Sequence, residues 1–418
     1  MRKRNWAAAV VAILWLMMGI TGCAAQQAEN PKEETVVTEK EEKLPQEFVL
    51  GMDASAVPAL LKSGVKYYNF DGQEQNVFQT LQENGINYIR VRVWNDPFDA
   101  EGNGYGGGNC DIENALEIGK QATQFGMKLL VDFHYSDFWA DPGKQIAPKA
   151  WEGMSLQEKE QALFDYTCES LMLLKNNGVD VGMVQIGNEI NNALAGETDW
   201  NGVLRLLEAG SKAVQQVYPS ALIAVHFTNP ERTGTYGWYA EELQKHGLDY
   251  DVFASSYYPY WHGSMENLTA VLSHIHDTYN KKVMVMETSY AYTTADTDFH
   301  RNTIGAGDAM EKVYPFTPEG QAKFVREMLL TAADIPGCIG LCYWEGTWIS
   351  AGGSSWEDNC EKWEQYGTGW ASRYAGSYDP KDAGQYYGGC AVDNQALFDS
   401  KGRPLEALRV FYQLRFVQ

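Results

Sequence analysis

Eight short apolar runs alternate with helical patterns along this chain of 418 residues. A strand followed by a helix, repeated many times, predicts a parallel α/β architecture, and eight repeats predict a (β/α)8 barrel. The sequence therefore indicates a single barrel with long strand-to-helix loops. The predicted strands are 48–53, 88–94, 128–134, 181–189, 222–227, 252–258, 282–287 and 338–344.

The segments between these strands include helical stretches at 76–84, 112–125, 156–176, 200–217 and 318–333. An open doubly wound sheet is the alternative architecture. It is disfavoured because no glycine-rich phosphate fingerprint follows the first strand.

The first 47 residues have the composition of a targeting segment and a tether. Arg2, Lys3 and Arg4 precede an apolar stretch at 7–20, and Ile20-Thr21-Gly22-Cys23 is similar to a bacterial lipobox. Residues 24–47 are rich in Glu, Lys and Gln and cannot bury enough apolar surface to fold. We predict a signal peptide at 1–22, a lipid-anchored acidic linker at 23–47 and a catalytic domain at 48–418. Lipidation of Cys23 would hold the protein outside the cytoplasm, on the membrane.

The net charge of −22 argues against nucleic acid as a partner, since a phosphate backbone would be repelled. An acidic substrate is disfavoured for the same reason. The 13 Trp and 24 Tyr are suited to stacking against the rings of a neutral sugar polymer. We expect no organic cofactor, and we expect a monomer.

Six cysteines follow Cys23 and form no CxxC pair, so a zinc site is disfavoured. Cys338 and Cys342 share a predicted strand, where a rise of ~3.3 Å per residue separates their Cα atoms by ~13 Å, too far for a disulfide. Cys360 and Cys390 can pair as far as the sequence shows.

Two glutamates end predicted strands: Glu189 in MVQIGNEI and Glu287 in VMVMETSY. Catalytic groups of a (β/α)8 barrel lie at the carboxyl ends of its strands. Hydrolysis of a glycosidic bond needs two carboxyl groups, one to protonate the leaving oxygen and one to attack the anomeric carbon. The pair therefore predicts a glycoside hydrolase.

Seven segments are similar to the endo-β-1,4-galactanases of glycoside hydrolase family 53, a family of retaining (β/α)8 hydrolases. The resemblance runs from about residue 50 to about residue 410, and the third-strand segment DFHYSDFWADPGKQ is its most specific part. The other segments are GMDASAVPAL, NGINYIRVRVWNDP, IGNEINNA, SSYYPYW, VMVMETSYAYT and CYWEGTWI. The resemblance implies endo-acting, retaining cleavage of (arabino)galactan, the side chains of pectin.

The resemblance also implies individual roles. Glu189 is expected to be the acid/base and Glu287 the nucleophile. Asn188 is expected to bond the sugar 2-hydroxyl, and Arg90 to hold the nucleophile ionised. Tyr258, or failing that Tyr257, is expected to donate a hydrogen bond to Glu287.

Further polar and aromatic residues stand at strand ends and are predicted to bind substrate. Trp344 matches the aromatic floor of the sugar site in related families. Arg92 alternates with Arg90 and Trp94, and a structural ion pair explains it as well as a role in the site does. The other predicted substrate residues are Trp94, His134, Asp137, Trp139 and His226, with Asp141 in the same third loop.

A polar loop after the seventh strand carries Asp296, Asp298, His300 and Asn302 in alternation. Spacing alone favours a solvated loop. The resemblance instead implies a structural Ca²⁺ site, because in bacterial members of the family this loop is similar to one that binds calcium with the segment GGxAVDN. Here that segment is 388–394, where Asp393 would supply a carboxylate. The backbone carbonyls of Cys390 and His300 would complete the set.

Two other functions remain open from the sequence. One is a mannanase-type or cellulase-type hydrolase of the same clan, against which the third-strand segment argues. The other is a lipoprotein that only binds glycans for import, which has no need of paired strand-end glutamates.

Replacing Cys23 by Ala is expected to release the protein from the membrane or to leave its signal peptide uncut, because the thiol carries the lipid. Membrane fractionation and mass spectrometry of the mature amino terminus test this. Wild-type protein found mainly without lipid would contradict it.

Overall fold

Eight parallel strands close into one barrel in chain order in the computed structural model, which describes residues 43–417. This confirms the predicted (β/α)8 architecture. The strands are β1 (Val49–Asp53), β2 (Tyr88–Val93), β3 (Lys128–Phe133), β4 (Val181–Ile186), β5 (Leu222–Phe227), β6 (Val252–Ser256), β7 (Lys282–Thr288) and β8 (Cys338–Tyr343).

Helices surround the barrel and also follow its last strand. All five predicted helical stretches are present. The helices are α1 (Val57–Lys62), α2 (Val77–Glu83), α3 (Ile112–Gln124), α4 (Leu156–Asn176), α5 (Trp200–Val217), α6 (Thr235–His246), α7 (Met265–Tyr279), α8 (Pro318–Asp334), α9 (Trp356–Tyr366), α10 (Ala383–Tyr386) and α11 (Glu406–Phe416).

Local signals explain where several helices begin. Ser155 and Glu158 form a reciprocal capping box at the start of α4. Thr317 caps α8 and is followed by Pro318, whose fixed φ suits the first helical turn. These signals set the helix starts locally, while packing against the strands stabilises the helices.

Two strands, β4 and β6, end two or three residues earlier than predicted. β4 ends at Ile186 rather than at residue 189, and Gly187 and Glu189 have positive φ angles of 104° and 46°. β6 ends at Ser256 rather than at residue 258. Glu189 and Tyr258 therefore lie in loops at the barrel mouth rather than in strands.

The barrel interior has an apolar layer and a polar layer. Leu130, Met183, Ala224, Met284 and Cys342 belong to the apolar cluster inside the barrel. Two residues further along several strands, nearer their carboxyl ends, the buried side chains are polar. They are Asp53, Arg90, Asp132, Gln185 and His226. The alternation of side chains along a strand places this polar layer directly beneath the mouth.

A register shift between β6 and β7 changes the direction of one side chain. Ser255 pairs with Val285, but Ser256 pairs with Glu287, so β7 contains one extra residue. Such a bulge re-aims the side chains that follow it. Met284 and Met286 both lie in the interior cluster, and Glu287, the next residue, still reaches the mouth.

Packing of the barrel domain begins before the predicted boundary at residue 48. Leu44 is buried, and its N–H donates to the Leu414 carbonyl on α11. A single apolar residue in a polar stretch gave no sequence signal for this contact. The predicted signal peptide, Cys23 and most of the predicted linker lie outside the described residues.

All six cysteines within the described range are free, including Cys360 and Cys390. Between residues 43 and 417, no helix has both the length and the apolar character that a membrane crossing needs.

Candidate active site

A cleft of about 290 Å³ opens at the carboxyl ends of the strands. Glu189, Glu287, Arg90, Asn188 and Tyr258 all line it. The fold thus brings the two predicted carboxyl groups to one cavity, together with the polar residues that were expected beside them.

Glu189 has neutral hydrogen-bond partners and, within the described residues, no cation beside it. Its Oε1 accepts a 2.6 Å hydrogen bond from the Ser256 hydroxyl. Burial, with repulsion from Glu287, raises the pKa of Glu189 to about 8. Glu189 is therefore protonated at neutral pH and can donate a proton. Its backbone is in the left-handed region, which is uncommon for a non-glycine residue and recurs at functional sites.

Glu287 has a charged and hydrogen-bonded setting instead. Its Oε1 lies 2.9 Å from Nη2 of Arg90, and its Oε2 accepts a 2.9 Å hydrogen bond from the Tyr258 hydroxyl. Burial raises the pKa of Glu287, while Arg90 and Tyr258 oppose that rise. Both partners stabilise the ionised carboxylate, which is the form that a nucleophile needs.

Arg90 is shared among three carboxylates. Besides Glu287, it lies 3.1 Å from Asp53 and 3.0 Å from Asp132. Burial raises the pKa of Asp53 well above its usual range. Asp132 is equally buried, yet Arg90 and His134 lower its pKa. The guanidinium thus opposes the effect of burial on the pKa of all three carboxyl groups.

Asn188 is held from several sides. Its Oδ1 accepts hydrogen bonds from Arg90 and Gln185, and its Nδ2 donates to the Ala140 carbonyl. Asn188 is 6% exposed, and its side chain lines the cleft as predicted.

His226 contacts Ser256 and Gln185 but does not line the cleft. Burial lowers its pKa well below the usual range, so the ring is neutral. Nε2 lies 2.9 Å from the Ser256 hydroxyl oxygen, which in turn donates to Glu189, and Nδ1 faces Gln185. An N–H at Nε2 satisfies both contacts and completes a hydrogen-bonded chain to the acid.

Aromatic side chains form the wall of the cleft. The Trp139 ring is tilted by 59° to that of Trp344, with 6.4 Å between ring centres. It stacks with the Trp348 ring at 6.1 Å. Trp370 lies on the same cavity, and Trp261, which is 52% exposed, stands at its rim. Indole faces of this kind bind the apolar faces of sugar rings.

Four predicted substrate residues are buried behind the cleft rather than on it. The Trp94 indole N–H donates to His134, and Asp137 accepts from the backbone N–H groups of Asp96 and Lys149. The Tyr257 hydroxyl donates to the Gly263 carbonyl and so does not reach the Glu287 carboxylate, which leaves the Tyr258 hydroxyl as its partner. The fourth is His226. A position at a strand end placed these residues near the mouth but did not decide which way they face.

Other lining residues were missed from the sequence, among them Asp53, Lys144, Trp261, Trp348 and Trp370. Asp132 and Gln185 were missed as well. A polar residue two positions from an inward apolar one, as in KLLVDF and VGMVQI, is the signal that could have found them.

The predicted metal loop and the segment 388–394 meet in the fold. Asp298 accepts hydrogen bonds from the N–H groups of His300 and Cys390, and Asp296 accepts one from the N–H of Asp298. Thr297 donates to Asp393. Burial, with mutual repulsion, raises the pKa of Asp298 to about 8, and burial raises that of Asp393 to about 7.

Three side-chain oxygens at this junction are buried without a partner. They are Oδ1 of Asn394, Oδ1 of Asp393 and Oδ1 of Asn302, whose amide nitrogen donates to the Ala295 carbonyl. No group of three or more His, Cys, Asp or Glu side chains in residues 43–417 is placed to hold a metal ion. Ligation here would need amide and backbone carbonyl oxygens, which is the set that Ca²⁺ accepts.

Comparison with known proteins agrees with this geometry. The sequence model of glycosyl hydrolase family 53 matches residues 49–411. The chain belongs to this family. It is 50% identical over 408 residues to an endo-beta-1,4-galactanase of Bacillus subtilis, covering 96% of this chain and 95% of the relative.

Two other relatives extend the family 53 comparison. An arabinogalactan endo-beta-1,4-galactanase of Cellvibrio japonicus is 32% identical, with 74% of this chain and 85% of the relative covered. The solved family 53 catalytic domain of Ignisphaera aggregans is 36% identical with a TM-score of 0.79, covering 89% of this chain and 97% of that structure. As a member of family 53, the protein is a glycoside hydrolase.

Replacing Tyr258 by Phe is expected to lower kcat by about ten- to a hundredfold, because a hydrogen bond to a charged group contributes about 1.5–3 kcal/mol. The hydroxyl favours ionised Glu287, so its loss raises the pKa of Glu287 and moves the acidic limb of the pH–rate profile to higher pH. Initial rates on galactan across pH 4–9 measure both effects.

Tyr257→Phe is the matched control, since it removes a neighbouring hydroxyl that faces away from the cleft. Its profile should overlie that of the wild type. Equal effects of the two changes would show that Tyr258 has no particular connection to Glu287.

Proposed function

We propose that this family 53 hydrolase cuts β-1,4-galactosidic bonds inside (arabino)galactan, the side chains of pectin, with retention of configuration. The observation that carries this proposal is the pair Glu189 and Glu287 in one cleft, held in opposite electrostatic settings. Two carboxyl groups driven to different protonation states are the arrangement that retaining hydrolysis requires. The relatives named as galactanases support the choice of substrate.

In the first step, an oxygen of Glu287 attacks the anomeric carbon as the glycosidic C–O bond breaks. The proton of Glu189 passes to the leaving oxygen. In the second step, water attacks the same carbon, Glu189 takes a proton from the water, and the bond to Glu287 breaks. Both carboxyl groups return to their starting forms, and the product keeps the β configuration.

The change of role of Glu189 follows from its surroundings. Repulsion from ionised Glu287 contributes to the raised pKa of Glu189. When Glu287 is bonded to the sugar, it carries no charge, so this contribution disappears and the pKa of Glu189 falls. A lower pKa favours the ionised form of Glu189, which acts as the base in the second step.

The two alternatives fit less well. A glycan-import protein of two lobes is at odds with the closed eight-stranded barrel. A mannanase or cellulase remains a matter for substrate assays, and the curated relatives favour galactan.

The loop after β7 is suited to a structural Ca²⁺ ion. Asp298, Asp393 and Asn302 would contribute side-chain oxygens, and His300 and Cys390 backbone carbonyls, with Asp296 at the exposed edge. Two of the three buried, unpartnered oxygens and two carboxyl groups with raised pKa values support this assignment. A cation there would tie the β7 loop to the segment before α11, whose residues Cys390, Ala391 and Val392 line the same cleft as the two glutamates.

The amino-terminal features support a location outside the cytoplasm. We propose that a diacylglyceryl group on Cys23 anchors it to the membrane, where it can act on external polysaccharide. The lipobox sequence and the polar stretch that follows it support this location.

Glu189→Gln and Glu287→Gln are each expected to lower turnover of potato galactan by several orders of magnitude while leaving the fold intact. Each change keeps the side-chain shape and removes the acid or the nucleophile. Release of reducing ends measures turnover, and Glu266→Gln, on the exposed face of α7, is the control. Near-normal activity of either variant would overturn the assignment of that residue.

The stereochemical part has its own readout. A proton NMR time course should show the β anomer first. The α anomer as first product would contradict retention, and faster hydrolysis of mannan or cellulose would contradict the substrate.

Chelator is expected to lower the melting temperature, and Ca²⁺ but not Mg²⁺ to restore it, because Mg²⁺ demands tighter octahedral geometry. A ligand that binds only the folded state stabilises it by about 2.7 kcal/mol at a hundredfold excess over Kd. Differential scanning fluorimetry follows the shift. Asp393→Asn should abolish the response, whereas Asp277→Asn on α7 should preserve it. An unchanged melting curve in chelator, with no metal in elemental analysis, would contradict the site.

A further inference from the structure

A buried ion pair adjoins the aromatic wall of the cleft, where Arg92 is one of the lining residues, and takes no part in the hydrolysis described above. Arg92 on β2 is 2% exposed, and Glu345, just after β8, is 1% exposed. Nη1 of Arg92 donates to Oε1 of Glu345, and Nη2 donates to the Gly107 carbonyl. The pair connects β2 with the end of β8, the two strands that flank β1, and Arg92 also contacts the loop after β2.

The Arg92 guanidinium is surrounded by indole rings. Its central carbon lies 4.1 Å from the ring centre of Trp139, 5.3 Å from that of Trp348 and 5.5 Å from that of Trp94. Trp139 and Trp348 are nearly parallel, with 13° between their planes. Cation–π attraction of this kind fixes the position of a ring as well as stabilising it.

Hydrogen bonds hold the edges of two of these rings. The Trp139 indole N–H donates to the Trp370 carbonyl, and the Trp348 N–H donates to the Thr368 carbonyl. Glu345 directly follows Trp344 and has a left-handed backbone, with φ of 51°. Its ion pair therefore fixes the turn that presents Trp344 to the cleft.

A buried ion pair is a costly way to achieve stability alone, since apolar residues of similar volume often stabilise a fold as well or better. We propose that the Arg92–Glu345 pair is a positioning device that holds Trp139, Trp344 and Trp348 as a sugar-binding wall and thereby sets the affinity of the cleft for the galactan chain. This rests on the proposed function. Arg92 and Glu345 act through the rings and leave the two catalytic carboxyl groups unchanged.

A wall that binds sugar rings equally in the ground state and in the transition state affects KM and not kcat. Glu287 pairs with Arg90, whereas Glu345 pairs with Arg92, so the two ion pairs share no residue. Loss of the pair should therefore weaken binding while the chemical step keeps its rate.

The test is the double variant Arg92→Met/Glu345→Gln, which removes both charges together and so leaves no unpaired buried ion. We expect KM for galactan to rise at least tenfold, with kcat within twofold of the wild type. The near-UV circular dichroism of the tryptophans should change as well. In a Glu189→Gln background, the Kd for galactan should rise by the same factor.

Arg373→Met/Glu364→Gln is the matched control. It removes an Arg–Glu ion pair in which the arginine also lies over an aromatic ring, Tyr374, but away from the cleft. Its KM and kcat should equal those of the wild type.

An unchanged KM in the folded double variant would overturn the proposal and leave the pair a purely structural element. Glu345→Gln alone is the second variant if the double variant does not fold, and a rise in KM of at least threefold is expected. Failure of both to fold would equally overturn it. Failure of the catalytic assignment would appear separately, as undiminished turnover by Glu189→Gln in the otherwise unchanged enzyme.

Discussion

The buried guanidinium of Arg90 is the charge on which the mouth of the barrel depends. It is 1% exposed and lies within about 3 Å of Asp53, Asp132 and Glu287. Without it, three carboxyl groups would share a small volume shielded from water. The free-energy cost of burying their charges would far exceed the stabilisation from any one of their hydrogen bonds. Its place on β2 also fixes Asn188 through a further hydrogen bond.

The same cation gives the two glutamates different electrostatic surroundings. Glu287 receives Arg90 and the Tyr258 hydroxyl, whereas Glu189 receives only neutral donors and remains protonated at neutral pH. The residues that produce this difference come from β2, β6 and the loops after β4 and β6. The proposed hydrolysis depends on the position of the Arg90 charge. The aromatic wall around Arg92 adds a surface on which a sugar chain can lie.

Alternate residues of a strand point to the same side of the sheet, and this strand parity accounts for much of what the sequence predicted correctly. Arg90 and Arg92 alternate on β2, and both prove to be inward and buried. Parity fails at Glu287, because the extra residue in β7 shifts the register opposite Ser256. It also gives no information about Tyr257 and Tyr258, which follow the end of β6 and turn to different partners.

The sequence alone predicted the alternation of eight strands with helices and the two glutamates near strand ends, and it shows the acidic, tryptophan-rich character of the chain. These are local properties, since periodicity, caps and composition are readable within a few residues. Which side chains meet depends on the folded barrel. The ion pairs Arg90–Glu287 and Arg92–Glu345 join residues that are far apart in the chain, and Trp94, Asp137 and His226 face away from the cleft and support it. Barrel closure and packing fix such directions collectively, and no local pattern encodes them.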